Sequence, residues 1–329
     1  FDYLISTDHG PSGGDEVNLN IDTKNIKNFG WPISSYGIHY SVGASNTDSH
    51  GGDANRVLKE APLHKNHIDY GYEEDFIKKF KIVNSIVPIN IALFANSSII
   101  EKRKSNYLSY RAKVWQNTSR GGLPKLFFEN LDFEKYAEFV INFPILFIQN
   151  KESYISGRKY TFRDFMSGKI NEVKNRLPSE NDLTTHLSTI FTENRLKKYI
   201  ELRSMDTCGW DCLCAGPAFF IGILYGNLDE VYDLISKWDK DKIINAYLDA
   251  PKKGFNTQLM NKDLFYWAST LLNLSKKGLE KRDILNKTKK NEIIFLSHLN
   301  KIINNKITNA EHMINKFSKN EDLSDLYDK

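Results

Sequence analysis

From Tyr199 to Asp206 the chain reads Tyr-Ile-Glu-Leu-Arg-Ser-Met-Asp. Apolar residues alternate with charged ones, and this period of two predicts a half-buried strand with successive side chains on opposite faces. Glu201 and Arg203 then share a face, about 6–7 Å apart along the strand. A carboxylate and a guanidinium so placed suit a magnesium-bound polyphosphate, the first holding a hard cation and the second forking onto phosphate oxygens. On pattern alone, a solvent-facing strand with one ion pair across its face is the alternative.

The elements around this strand follow from end signals and periodicity. Ser179 followed by Asp182 is a capping signature for a helix reaching Ile190, which leads through Arg195-Leu196-Lys197-Lys198 into the strand. His186 on that helix reads as a surface or core residue, not a catalytic base. Past Asp206 the chain turns at Gly209-Trp210, and Cys212 to Tyr225, apolar on nearly every side, predicts a buried helix. Upstream, Asn106 to Trp115 carries Arg111, which could clamp a carboxylate bidentately or lie on the surface. The loop Arg120-Gly121-Gly122-Leu123-Pro124 is a weak phosphate-cradle candidate, since no P-loop lysine follows in register.

Glu73 to Val87 places Phe76, Ile77, Phe80, Val83 and Val87 at helical spacing, with acidic residues in the first turn and a stop at Pro88. Phe133 to Asn142 is a helix closed by Pro144, Ile145 to Ile148 a buried strand, and Thr161 caps a short helix ending at Gly168. Leu228 to Trp238, Asn261 to Arg282, Asn291 to Asn304 and Thr308 to Phe317 form a helical C-terminal layer.

Composition narrows the class. With 40% hydrophobic and 26% charged residues the 329-residue chain reads as globular. A net charge of +4, its Lys/Arg interspersed with Asp/Glu, argues against nucleic acid. The longest apolar run, Pro217 to Tyr225, is about half a membrane span. Cys208, Cys212 and Cys214 fall within seven residues. They are expected as packed thiols at a strand-to-helix corner, in keeping with a reducing, cytoplasmic setting. The chain opens on Phe1, so the natural N-terminus is expected upstream.

Residues 1–67 have another texture, rich in Gly, Asn, Ser, Asp and His without helical periodicity. Asp8-His9-Gly10-Pro11-Ser12-Gly13-Gly14-Asp15-Glu16 and Gly30-Trp31-Pro32 resemble the quinoprotein glucose/sorbosone dehydrogenase family, six-bladed propellers that bind pyrroloquinoline quinone (PQQ) and calcium. The resemblance implies a calcium loop at Asp15 and Glu16 with the carbonyls of Gly10 and Pro11. One blade buries its faces only against neighbours, so no dehydrogenase activity is expected from these residues.

Residues from about 69 to 317 resemble glutamate–cysteine ligase of the plant and proteobacterial type. The segments EEDFIKKFK, ALFANS, NYLSYRAKVW, FEKYAEFVINFP, YTFRDFMSGK, HLSTIFTENRLKKYIELRSMD and the helix after Cys214 carry it in order. The resemblance implies an α+β fold: a partial glutamine-synthetase-like antiparallel sheet with flanking helices and a helical C-terminal layer, preceded by the short β/loop-rich, propeller-like fragment. The implied organisation is residues 1–67, an incomplete catalytic domain over 68–320, and a flexible tail at 321–329. It further implies small-molecule substrates (ATP with Mg2+, glutamate and cysteine) joined through a γ-glutamyl phosphate. Glu201 becomes a magnesium ligand, Arg203 the catalytic cation on the phosphates, and Arg111 with Trp115 the glutamate site; Asp206 orients the turn. Leu146 stands where the family has a pocket tyrosine, and the family's other acidic metal ligands lie in a part that residues 1–67 replace. Weak or absent ligase activity is therefore expected.

Overall fold

The computed structural model describes residues 4–8, 16–20, 73–150, 153–173, 176–197, 199–286 and 289–319. The chain divides into two units, Phe1–Asp69 and Tyr70–Lys329. In the first, strands β1 (Leu4–Asp8) and β2 (Glu16–Asn20) pair antiparallel, with Leu4 opposite Asn20 and Asp8 opposite Glu16. Glu16 thus opens a strand. Gly10, Pro11 and Asp15 of the expected calcium loop, and the tail expected at 321–329, lie outside the described residues.

The second unit mixes helices with short strand pairs, an α+β composition. Helices α1 (Glu73–Ser85) and α2 (Val87–Leu93) open it. Pro88 does not end a helix; it sits in the first turn of α2, where a missing N–H removes no intrahelical bond. Both helices are sunk in the core, with Phe76, Phe80, Ile82, Ile86, Ile89 and Leu93 buried. Next come β3 (Ile99–Ile100), β4 (Arg103–Lys104), α3 (Tyr110–Gln116) and β5 (Gly121–Gly122). The Arg120–Pro124 loop candidate is therefore partly strand, and β5 pairs parallel with β8 (Phe191–Thr192).

A smaller lobe follows, made of α4 (Phe133–Asn142), the hairpin β6 (Phe147–Asn150)–β7 (Ser153–Ser156), α5 (Phe162–Met166) and α6 (Glu180–Ser188). Thr161 with Asp164, and Ser179 with Asp182, form reciprocal capping boxes that fix where α5 and α6 begin. Ile145, Ile148, Phe162, Phe165, Ile170 and Val173 form this lobe's core. Strands β9 (Asn194–Leu196) and β10 (Ile200–Leu202) then pair antiparallel. Among the described residues every sheet has two strands.

The helical C-terminal layer holds α7 (Ala215–Ile221), α8 (Leu228–Ile235), α9 (Lys240–Lys253), α10 (Leu264–Arg282), α11 (Ser297–Asn305) and α12 (Asn309–Ser318). The expected helix over Cys212–Tyr225 is broken into a short turn at Trp210–Leu213, α7, and a π-helical turn at Gly222–Gly226. Against this turn α10 packs backbone to backbone: a Cβ on Gly222, Gly226 or Gly278 would run into the main chain of the opposite segment. At the head of this stretch Cys208 and Cys212 form a disulfide, and Cys214 is the free thiol. This corrects the expectation of three packed thiols, because the bend of the chain into the short helix at Trp210–Leu213 brings the Cα atoms of Cys208 and Cys212 to 5.7 Å; the cysteine argument for a reducing compartment falls with it.

Helix α9, to which the sequence reading assigns no element, is capped by Asp239, which accepts from the Lys242 N–H at 2.9 Å. Pro251 in its last turn cannot donate to the Tyr247 carbonyl four residues back. Gln116 Nε2 on α3 takes that carbonyl instead at 2.6 Å, and the Pro251 carbonyl accepts from Leu108 and Ser109 N–H at 2.8 and 3.1 Å. The proline thereby docks α9 on α3.

Candidate active site

Strand β10 is shorter than the Tyr199–Asp206 pattern, but it holds Glu201 as alternation requires. Its antiparallel partner places Arg195 directly opposite Glu201. Arg195 Nε and Nη2 donate to the two Glu201 carboxylate oxygens at 2.6 and 2.9 Å, a bidentate fork. Arg203 Nη1 donates to the Oε1 of Glu201 at 2.9 Å, and Lys197 Nζ lies 3.4 Å from Oε2. Three cations surround one carboxylate. All four side chains are largely withdrawn from water, Arg195 and Lys197 being 6% and 7% exposed. Burial alone would raise the Glu201 carboxyl, but Arg195, Lys197 and Arg203 hold it below its ordinary value.

The second part of the site comes from α3. Its N-cap is Ser109, whose hydroxyl oxygen accepts from Ala112 N–H at 3.2 Å. Arg111 and Trp115 stand one turn apart on the helix, so they share a face. The Trp115 ring lies 5.1 Å from the Arg203 guanidinium and 6.0 Å from that of Arg111, and the Phe191 ring lies 5.7 Å from the Arg203 guanidinium. Arg111 Nη2 donates to the Arg203 carbonyl at 2.6 Å, while its Nη1 is buried without a hydrogen-bond partner. The four residues expected from the sequence, Glu201, Arg203, Arg111 and Trp115, are thus brought together. Asp15 lies outside the described residues, and Glu16 belongs to the other unit.

Asp206 locks these parts in place. Its Oδ2 accepts from Asn96 N–H and the Ser97 hydroxyl at 2.8 and 2.7 Å, and its Oδ1 from the Ser109 hydroxyl at 2.8 Å. The Ser97 hydroxyl oxygen in turn accepts from Arg111 N–H at 3.0 Å. One carboxylate therefore ties the end of the strand segment to the start of α3.

Four neighbours lack a pattern that would single them out. Arg195 and Lys197 read as a basic lead-in to the strand; only the hairpin turn folds them back onto Glu201. Glu193 and Tyr247 carry no motif. Glu193, 3% exposed, stands between β8 and β9; its N–H donates to the Gly122 carbonyl at 3.0 Å, and its own carbonyl accepts from Arg203 N–H at 2.9 Å. The Tyr247 hydroxyl on α9 donates to its Oε1 at 2.9 Å.

This arrangement carries an excess of cations. Arg195, Lys197, Arg203 and Arg111 outnumber the carboxylates of Glu201, Glu193 and Asp206, and three of the four cations converge on one point. The donor set does not fit a resident magnesium, because both Glu201 oxygens are engaged and no group of three His, Cys, Asp or Glu side chains among the described residues could hold a metal.

Comparison with known proteins falls into two parts. Residues 2–64 match the glucose/sorbosone dehydrogenase family model, and residues 61–329 match that of glutamate-cysteine ligase family 2. A chloroplastic glutamate–cysteine ligase of Solanum lycopersicum is 35% identical over 253 residues, 75% of this chain and 47% of its own length. Glutamate–cysteine ligase B of Oryza sativa is 35% identical over 256 residues, 76% of this chain and 50% of the relative. The chloroplastic enzyme of Arabidopsis thaliana is 34% identical over 257 residues, 77% and 48%. The chain spans about half the length of the relatives it matches. Since the ligase match takes in well over half of the residues and contains every side chain of the site just described, the chain belongs to glutamate-cysteine ligase family 2.

Proposed function

We propose that the β9–β10 hairpin and α3 form the phosphate and substrate wall of a glutamate–cysteine ligase site, which makes γ-glutamylcysteine at the first step of glutathione biosynthesis. In that reaction a γ-carboxylate oxygen of glutamate attacks the γ-phosphorus of ATP and ADP leaves; the cysteine amine then attacks the acyl carbon and expels phosphate. Charge accumulates on oxygens throughout, and fixed guanidinium groups stabilise it without moving a proton. The observation that carries the reading is the convergence of Arg195, Lys197 and Arg203 on Glu201, which holds Arg203 rigidly beside Trp115. Arg203 is assigned to the phosphates, and Arg111 to the substrate carboxylate with Trp115 beside it. Glu201 aligns the three cations and, in this reading, is the carboxylate nearest to any magnesium ion that arrives with the nucleotide, whose chemistry would be to neutralise phosphate charge. In the same reading the strand pairs β5–β8 and β9–β10 belong to a glutamine-synthetase-like sheet.

Turnover by the 329-residue chain alone is expected to be weak or absent, because among the described residues a single, already paired carboxylate faces the phosphates. The test is nucleotide binding followed calorimetrically, with γ-glutamylcysteine and ADP measured in parallel. ATP with magnesium should bind, and Arg203→Ala should weaken binding about tenfold or more, the cost of losing one charge-assisted contact. Binding indifferent to Arg203→Ala would overturn the assignment. A second reading, a PQQ- and calcium-dependent sugar dehydrogenase, is favoured only by the match of residues 2–64; dye reduction after quinone reconstitution tests it, and none is expected.

A further inference from the structure

Glu193 is a buried charge that the proposed ligase reaction does not use. A carboxylate withdrawn from water normally sits in an ion pair. This one feels the charge of Arg111 and Arg203, the latter tied to its backbone carbonyl, yet the only hydrogen bond to its carboxylate among the described residues comes from the Tyr247 hydroxyl. An ionised carboxylate can accept about four hydrogen bonds, so most of its capacity is unused. Nearby, Arg111 Nη1 is a buried donor with nothing to donate to. Leaving such a donor unmet is unfavourable, unless a ligand supplies the acceptor.

An under-used acceptor and an orphaned donor in one site complement a zwitterion. We propose that Arg111 and Glu193 form an amino-acid cradle: Arg111 Nη1 takes the α-carboxylate, and Glu193 takes the ammonium group. This rests on the ligase reading, in which the amino acid held by Arg111 is glutamate, and it deepens that reading by naming the residue that reads the amine. A primary ammonium fits better than a metal ion. It is monovalent, brings its own donors and is satisfied by few acceptors, whereas a divalent cation needs several oxygens and would face two guanidinium groups. The Trp115 and Phe191 rings, 5.4 Å apart, both lie beside the Arg203 guanidinium, and Trp115 beside that of Arg111 as well. Burial holds the Glu193 carboxyl above its ordinary value, against the Tyr247 hydroxyl and the two arginines, so an arriving cation is what favours its charged form.

The probes are L-glutamate and glutarate, which differ only in the amino group, titrated calorimetrically into the full chain with and without ATP and magnesium. Wild type should bind glutamate about tenfold or more tightly than glutarate, the worth of one charge-assisted hydrogen bond. Glu193→Gln, which keeps the shape and the acceptor for Tyr247, should erase that preference while leaving glutarate and ATP binding within about twofold. Should that variant fail to fold, Glu193→Asp carries the test, with the preference reduced and glutarate binding unchanged. The cradle is overturned if Glu193→Gln weakens both ligands equally, if it changes neither, or if wild type does not prefer glutamate. ATP binding separates the two readings: ATP bound without a glutamate preference sinks the cradle alone, and loss of both takes the ligase reading with it.

Discussion

Around Glu193 to Arg203 the interior holds charge, whereas at the crossing of α7 and its π-turn with α10 it holds almost none. In the first region Arg195, Lys197, Arg203 and Glu201 are packed side by side out of water. In the second, Gly222, Gly226 and Gly278 let two backbones touch, and the Ser275 hydroxyl, donating to the Phe219 carbonyl at 2.9 Å, is a polar bridge between them. Buried ion pairs roughly cancel their own desolvation cost, so the charged hairpin adds little net stability. The helical layer, where apolar side chains leave water, must supply it. Buried charge and apolar packing are thus concentrated in different segments of one unit.

This contrast can be broken first at Arg195. Arg195→Ala leaves Glu201 without its bidentate partner and strips the Ser188 and Ile190 carbonyls of their donor. Breaking one side of a buried pair should cost about 3–5 kcal/mol, read by urea unfolding; a loss below 1 kcal/mol would mean that water reaches the cluster. At the other region Gly278→Ala forces a methyl group against the Gly222 carbonyl, and an overpacking penalty of about 1–3 kcal/mol is expected, with nucleotide binding unchanged in the folded protein. If binding fell in step with stability, the two regions would not be separable.

The smallest effect belongs to His186, buried at 2% exposure and stacked on Phe162 at 4.8 Å. Its Nε2 is 2.8 Å from the Val140 carbonyl, so the neutral ring carries its proton there, and Nδ1 has no partner. Burial holds its pKa below the ordinary value; the Val140 carbonyl opposes this and Arg120 adds to it. The unfolded chain therefore takes up a proton before the folded one does. The contribution of His186 is fully present above its usual pKa of about 6.5 and is lost as pH falls from there through the folded value. Stability measured from pH 7.5 down to 5 should fall more steeply for wild type than for His186→Phe; parallel curves would show that the ring protonates in place.

Much of the helical scaffold is legible in the sequence because its end signals are local. Thr161 with Asp164 and Ser179 with Asp182 announce their helices, and Phe133–Asn142 has its expected bounds. Local signals also mislead. Pro88 reads as a stop but begins a helix, and Pro251 obscures α9 although one helix tolerates it at its last turn. The site is legible by pattern along the strand, and at Arg111 and Trp115 through the family resemblance. Alternation places Glu201 and Arg203, but the partners that define their environment arrive through register and tertiary packing: Arg195 by the hairpin, Tyr247 from a helix more than fifty residues away. A lone Glu193 in a polar run carries no periodicity, so nothing marks it until the chain is folded around it.

The three hydrogen bonds to Asp206 come from segments 97 to 110 residues earlier in the chain. Contacts of such high sequence separation close large loops and form late in folding, after local helices are in place. Because Asn96, Ser97 and Ser109 all converge on one carboxylate, they should also release together, as one cooperative opening unit. The amide hydrogens of Asn96 and Arg111 should then exchange with solvent at the same rate, and a ligand that clamps Arg111 should slow both.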